Sequence, residues 1–298
     1  MRKVSISLLV VSLALAGFLA SCASSAPSAA AAPAKVRKER TVIVPVPVLV
    51  KETSYYSDGQ LDQYIVYTYD PSKKLLLEKD TYDPSQAAPM ERVVSEWKNG
   101  QLAADVFYDR DGKVKFRHDY GYDAAGRLAS DTVTDGKGRP SSSSTYTYDA
   151  AGDKIEWRVF DAAGILDAVT SYAYGAPGPD GAALPVLVTM KDPGGAVTGT
   201  IKLAYGPDGK LQRRDYLNPD GSLRKSELYA YQPAAPYGPV SMELLRADGS
   251  ISEKTTYQSG DLGQILEATD SDGSGAIRGV TKYEYIVRDD THTNVYYE

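Results

Sequence analysis

Tyrosines recur in this chain at a fixed step. Tyr122, Tyr148 and Tyr174 stand 26 residues apart, Tyr205, Tyr231, Tyr257 and Tyr283 repeat that step, and the gap from Tyr174 to Tyr205 is 31. A five-residue insertion in the Gly/Pro-rich stretch Gly175 to Pro185 accounts for the difference. A period this short means copies of one supersecondary unit stacked on each other, none of which buries enough surface alone. Glycines keep the same register. Gly126, Gly152, Gly178 and Gly209 follow a repeat tyrosine by four residues, while Gly112, Gly138, Gly164, Gly195, Gly221 and Gly273 precede one by ten. Many follow Asp or Asn, as in Asp111-Gly112, Asp208-Gly209 and Asp220-Gly221. Such pairs suit tight hairpin turns, because glycine supplies positive φ and Asp or Asn starts the turn with its own side chain.

Between turns the side chains alternate. Val114, Phe116, His118, Tyr120 and Tyr122 share one face of a strand, and Lys113, Lys115, Arg117 and Asp119 the other. Ile155, Trp157 and Val159 alternate with Lys154, Glu156 and Arg158 in the same way. Period two with a polar face predicts antiparallel strands of about seven to nine residues, and no segment has a helical period. An apolar residue stands two after the turn glycine at Leu61, Leu102, Val114, Leu128, Leu166, Leu211, Leu223 and Ile251. The expected fold is all-β: a meander of antiparallel hairpins, two strands per 26 residues, as an open or curled sheet or a solenoid, with closure undetermined. The 23 tyrosines against 4 phenylalanines fit a thin sheet, where a ring packs while its hydroxyl stays near water.

The segment Tyr122-Asp123-Ala124-Ala125-Gly126-Arg127-Leu128, continuing to Tyr148-Asp149-Ala150-Ala151-Gly152, resembles the YD repeat of Rhs-type proteins across about residues 100–175. Elsewhere the Asp after the tyrosine becomes Gly175, Gly206, Gln232, Gln258 and Glu284. The resemblance implies β-sheets that spiral into a shell. In that family the shell often encloses a toxin, but a separate C-terminal toxin domain is not recognisable here, so only the architecture is carried over. Glycine-turn repeats of the MORN-like kind are the second resemblance.

The first residues follow another logic. Arg2 and Lys3 precede an apolar run from Ile6 to Ala20, too short for a spanning helix and laid out as a signal peptide. Leu19-Ala20-Ser21-Cys22 resembles the bacterial lipobox, which implies a lipoprotein: cleavage before Cys22 and acylation, palmitate among the chains, of its thiol and new amine. Two or three acyl chains hold a domain at a membrane where one does not. The expected divisions are a signal peptide over 1–21, a lipidated cysteine with an Ala/Ser/Pro tether over 22–40, and the repeat domain over 41–298. Thr41 to Val50, with Pro45 and Pro47, is expected to be an edge strand or an extended connector. Ala23 lacks the acidic residue that retains many lipoproteins at the inner membrane, so an outer-membrane location follows if the source is diderm.

Chemistry is sparse. One cysteine excludes an internal disulfide framework and a cysteine zinc cluster, and a net charge of −6 argues against nucleic acid. Asp270, Asp272 and Ser274, with Gly275, resemble the start of an EF-hand calcium loop, but the twelfth position is Thr281 and a hairpin turn explains the same residues. His118 and His292 lack a metal-ligand spacing, and the run Ser141 to Ser144 has no base nearby in sequence. The expected function is a non-catalytic structural or protein-interaction domain on a lipid anchor. Two alternatives stand beside it: a carbohydrate surface using Tyr120, Tyr146, Tyr172 and Tyr229, and an enzyme whose site is assembled from distant residues.

Overall fold

The computed structural model describes residues 37–179, 181–232 and 238–297. The chain forms two units, Ile43–His292 and a smaller one, Met1–Val42 with Thr293–Glu298.

Eighteen strands follow one another with no helix among the described residues. The first six are β1 (Arg37–Tyr56), β2 (Leu61–Tyr69), β3 (Leu76–Tyr82), β4 (Glu91–Lys98), β5 (Gln101–Asp109) and β6 (Val114–Tyr122). Then come β7 (Leu128–Asp135), β8 (Pro140–Tyr148), β9 (Lys154–Asp161), β10 (Leu166–Pro177), β11 (Ala183–Lys191) and β12 (Val197–Tyr205). The last are β13 (Leu211–Leu217), β14 (Leu223–Ala230), β15 (Ser241–Arg246), β16 (Ile251–Ser259), β17 (Ile265–Asp272) and β18 (Ile277–Tyr297). Each pairs antiparallel with the next, as in Ala104↔Asp119 or Tyr146↔Trp157. The last strand also pairs with the first, closing an 18-stranded barrel. At the seam Ser54 Oγ lies 3.2 Å from Thr281 Oγ1, and Lys51 Nζ 3.3 Å from Glu284 Oε1. The meander is as expected. Closure is what sequence left open, and it removes the free edges that an open sheet or solenoid would expose.

The turns explain the motif. Asp123 N–H donates to the Arg127 carbonyl, Gly126 N–H donates to the Asp123 carbonyl, and Gly126 holds φ at +79°, a conformation that L side chains resist. Asp123 Oδ1 accepts from the N–H groups of Ala125 and Arg127, both at 2.9 Å. The same five-residue turn recurs at Asp109, Asp135, Asp149 and Asp161. It persists without Asp at Gly206, Asn218, Arg246 and Gly260, so the repeat extends well beyond the span that resembles the YD pattern.

Four positions depart from the expected register. Gly181, not Gly178, carries the positive φ, because the insertion lengthens both arms of one hairpin: Tyr174 stands four residues before that turn opens, where Tyr148 stands one before. Likewise Gly275, not Gly273, is the turn glycine. Gly273 is small for a different reason, since a Cβ there would meet the Ile251 carbonyl oxygen at 2.1 Å. Tyr257 and Tyr283 fall two residues out of step. The turn opening at Gly260 puts Ser259 where Tyr122 stands, and the turn at Gly275 gives that place to Tyr285. The N-terminal boundary also moves: β1 begins at Arg37 inside the expected tether, carries Pro45 and Pro47, and pairs with β2 at Lys51↔Val66.

The wall is one sheet thick. Among the described apolar residues only Val48, Ala104, Val106 and Ala268 are buried. Its two faces differ in a regular way. On β18 Thr281, Tyr283 and Tyr285 are partly covered while Lys282, Glu284 and Ile286 are exposed, and on β12 Ile201 and Leu203 are covered while Lys202 and Ala204 are exposed. A closed wall crowds the side chains on its concave side and spreads those on its convex side. The tyrosine face is the more covered one on these strands and is assigned to the lumen side, while Ala104, Val106, Asp80 and Ser226, buried on the other face, stand beside the long side chains of Arg92, Arg117 and Arg213.

Candidate functional site

One lumen-facing row, set in from the strand ends, is Tyr67, Tyr120, Tyr146, Tyr172, Leu203, Tyr229, Tyr257 and Tyr283, all partly covered. The four proposed for sugar stacking thus share one row, neither packed away nor fully open. Their hydroxyls differ. Tyr67 donates to Glu52 at 2.5 Å, Tyr120 to Asp105 at 3.0 Å and Tyr229 to Glu227 at 2.6 Å. Burial first, and then these carboxylates, push the three hydroxyls well above the ordinary tyrosine range.

The second tyrosine of each pair has a separate task. Tyr122 donates to the Leu102 carbonyl, Tyr148 to Leu128 and Tyr174 to Lys154 at 2.8 Å each, and Tyr205 to Pro185 and Tyr231 to Leu211 at 2.9 Å. Trp97 Nε1 fills the same place on β4, donating to Leu76 at 2.7 Å. Each bond ties the end of one strand to the start of the strand before it. That is why tyrosine is used and phenylalanine, which has no hydroxyl, is rare.

Two polar clusters stand on the lumen face. His118 Nδ1 lies 3.0 Å from both oxygens of Asp131 and packs beside Phe107, Phe116 and Tyr120. Ser144 pairs with Asp131 from β8, two strands from His118, which places nucleophile and imidazole roughly 10 Å apart and out of contact. In the second cluster Glu227 accepts from Tyr216 at 2.7 Å, Tyr229 at 2.6 Å and Arg214 at 2.9 Å. Burial raises this carboxyl, but the two hydroxyls and the guanidinium outweigh it and hold the group below its ordinary value. His292 is exposed on β18.

The calcium candidates occupy a hairpin. Asp272 Oδ1 accepts from the N–H of Ser274 at 2.9 Å, from Ser274 Oγ at 2.6 Å and from the N–H of Ala276 at 3.1 Å. Asp270 is on β17, with Oδ1 accepting from Thr255 at 2.5 Å. Among the described residues no group of three or more His, Cys, Asp and Glu is placed to hold a metal ion. Cys22 lies outside the described residues.

Between β9 and β13 the lumen wall changes character. A hollow of about 400 Å³ is lined by Trp157, Tyr172, Val188, Met190, Ile201 and Leu203, with Arg214 and Tyr216 at its edge. Elsewhere the tyrosine row meets mixed partners, as in Tyr120↔Asp131, Tyr67↔Lys79, Tyr229↔Met242 and Tyr257↔Ala268; here the pairs are Tyr146↔Trp157 and Tyr172↔Val188. The Tyr146 and Trp157 rings stack with centroids 6.3 Å apart. Trp157 Nε1 is buried with no hydrogen-bond partner. Sequence reasoning missed this patch, although Leu203 in a tyrosine column was a legible signal. A hollow of about 490 Å³ at Pro89, Arg92 and Tyr108 lies on the convex face, where Arg92 is held by Asp80 at 2.8 and 3.0 Å.

The convex face is charged along its middle. Arg117 reaches Glu96 at 2.8 Å and Asp119 at 2.8 Å, Arg158 reaches Glu156 at 2.8 Å, Arg213 reaches Asp215 at 2.7 Å and Lys254 reaches Glu243 at 2.8 Å.

No family model and no curated protein matches the chain. Among solved structures it is similar to a porin-like protein from Bacteroides uniformis, 13% identical over 80% of this chain and 98% of that one, with a TM-score of 0.44. It is also similar to a porin-like protein from Bacteroides vulgatus, 9% identical over the same shares, with a TM-score of 0.32. A chain of a TcdB2-TccC3 structure aligns at 14% identity over 78% of this chain and 16% of its own length, with a TM-score of 0.22.

Proposed function

We propose that this chain is a lipid-anchored protein of the cell envelope whose barrel stands in water and serves as a non-catalytic structural or protein-interaction module. The observation that carries the reading is the convex face. Arg92, Arg117, Arg158, Arg213 and Lys254 sit along the strands there, each paired with a carboxylate. An Arg or Lys at the bilayer midplane of a barrel's outer face costs about 2–4 kcal/mol, so a belt of such residues is incompatible with lipid. The opposite face is no better suited, since Glu52, Asp105, Asp131, Arg214 and Glu227 project from it. With the barrel in water, retention at the membrane falls to acyl chains on Cys22. If the source is diderm, the outer membrane is the expected site.

Cys22→Ala tests both halves. The variant is expected to leave the membrane fraction and to remain soluble without detergent. A variant that stays in the membrane through an alkaline wash would mean that the barrel itself spans, and would end this reading.

A further inference from the structure

We propose that the apolar hollow of β9 to β13 binds a long-chain fatty acid, its hydrocarbon tail against Val188, Met190, Ile201 and Leu203 and its carboxylate on Lys154. Three observations converge. First, the lining is mostly hydrocarbon and aromatic: Arg214 and Tyr216 both bond Glu227, which leaves the Thr170 hydroxyl and the unpartnered Trp157 Nε1–H as the polar groups a ligand could meet. A sugar would need several free donors and acceptors to replace its bound water, whereas an alkyl chain needs none and gains from each methylene it buries. Second, an unneutralised cation stands beside the hollow. Alternation alone places Lys154 opposite Trp157, but the register shift at Tyr148↔Lys154 brings it to the tyrosine side, where its Nζ lies 4.5 Å from the ring centre of Tyr172, which lines the hollow, and 5.7 Å from that of Tyr146. Among the described residues no carboxylate pairs with this ammonium, unlike Lys254 or Lys115, which hold Glu243 and Glu91. An anionic head is the complement of such a group. Third, the patch is a local exception to the repeat. Leu203 replaces a tyrosine of its row, and Trp157, Tyr172, Val188 and Leu203 fall on the four successive strands β9 to β12 as one run of large apolar and aromatic side chains. Packing of a one-layer wall does not require this, since Asp131 and Tyr120 fill equivalent places two strands away.

The site depends on the barrel wall alone and is independent of the anchor. It is tested on the full chain carrying Cys22→Ala, so that no acyl chain of its own competes, and Trp97→Phe, which leaves Trp157 as the only tryptophan of the two. Sodium dodecanoate, kept below self-assembly, is expected to shift the Trp157 emission with saturation, and uncharged dodecanol to do so more weakly. Lys154→Gln should weaken dodecanoate about tenfold, the loss of one charge-assisted contact, and leave dodecanol unchanged, while Lys154→Arg restores it. Val188→Thr, which keeps the shape and adds a hydroxyl, should weaken both; Leu203→Thr is the second variant if the first melts early by circular dichroism. The absence of a saturable response overturns the site. So does equal weakening of both ligands by Lys154→Gln, which would remove Lys154 as the head-group partner, and so does full binding by a folded Val188→Thr.

Discussion

Aspartate heads many of the turns, and at Asp123 and Asp135 it does two jobs at once. Its short carboxylate accepts from the N–H groups two and four residues on, and its charge meets a basic residue across the turn. At Asp135 the acceptor bonds come from Lys137 and Arg139 at 2.9 and 3.0 Å, and Arg139 Nε adds a third at 2.7 Å. The Arg139 side chain and then its N–H lower the carboxyl to about 2 from 3.8. Asp123, Asp220, Asp248 and Asp272 are lowered too, by the backbone and side-chain donors of their own turns. A group whose folded pKa lies below its unfolded value contributes its stability above the unfolded value, and loses it as pH falls through the folded one. The melting midpoint is therefore expected to hold steady down to the ordinary carboxylate range and then drop through the interval from 3.8 to about 2 that Asp135 defines. Thermal melts at closely spaced acid pH check this; a midpoint that stays level across the interval would contradict it.

At the scale of the strand, the unit is a hairpin with a hydroxyl clasp. The tyrosine that ends one strand and the carbonyl that begins the strand before it are 20 residues apart in every copy from Tyr122 to Tyr231. A neutral hydrogen bond of this sort contributes about 1 kcal/mol net. Tyr148→Phe keeps the ring and removes the clasp, so it should cost about 1 kcal/mol in denaturant unfolding. Tyr231→Phe should cost the same, and the double variant the sum, because the clasp of Tyr231 on Leu211 stands five strands from that of Tyr148 on Leu128. A double variant no worse than either single one would show that the clasps are not independent. Much at this scale was legible in the sequence. Alternation at Val114 to Tyr122 predicted a strand, and the recurring glycine, often after Asp or Asn, predicted its turn. The clasp was not legible, because its donor and acceptor belong to different strands and only the pairing register brings them together.

At the scale of the molecule, closure decides what the faces become. A disulfide across the seam tests it directly. Ser54→Cys with Thr281→Cys puts two thiols where oxygens stand 3.2 Å apart across β1 and β18, in a chain whose one native cysteine, Cys22, is changed to Ala. Air oxidation is expected to link them fully in the folded protein and not in the denatured one. An open sheet would hold these strands at opposite ends, and the thiols would remain free.

The sequence by itself determined the element type, the turn chemistry and the repeat, because each depends on residues within one hairpin: period two for strands, Asp and Gly for the turn, and a tyrosine near the end of alternate strands. It misplaced Gly178, Gly273, Tyr257 and Tyr283, because equal spacing is not equal register once a hairpin arm or a turn gains residues. Tertiary structure alone decided that β18 returns to β1, since that pairing joins residues 227 apart at Ser54 and Thr281. It also decided which side is concave, and hence that Trp157, Val188, Met190, Ile201 and Leu203, dispersed over nearly fifty positions, form one apolar wall. Local propensity is written into neighbouring residues, but enclosure is a property of the ring as a whole.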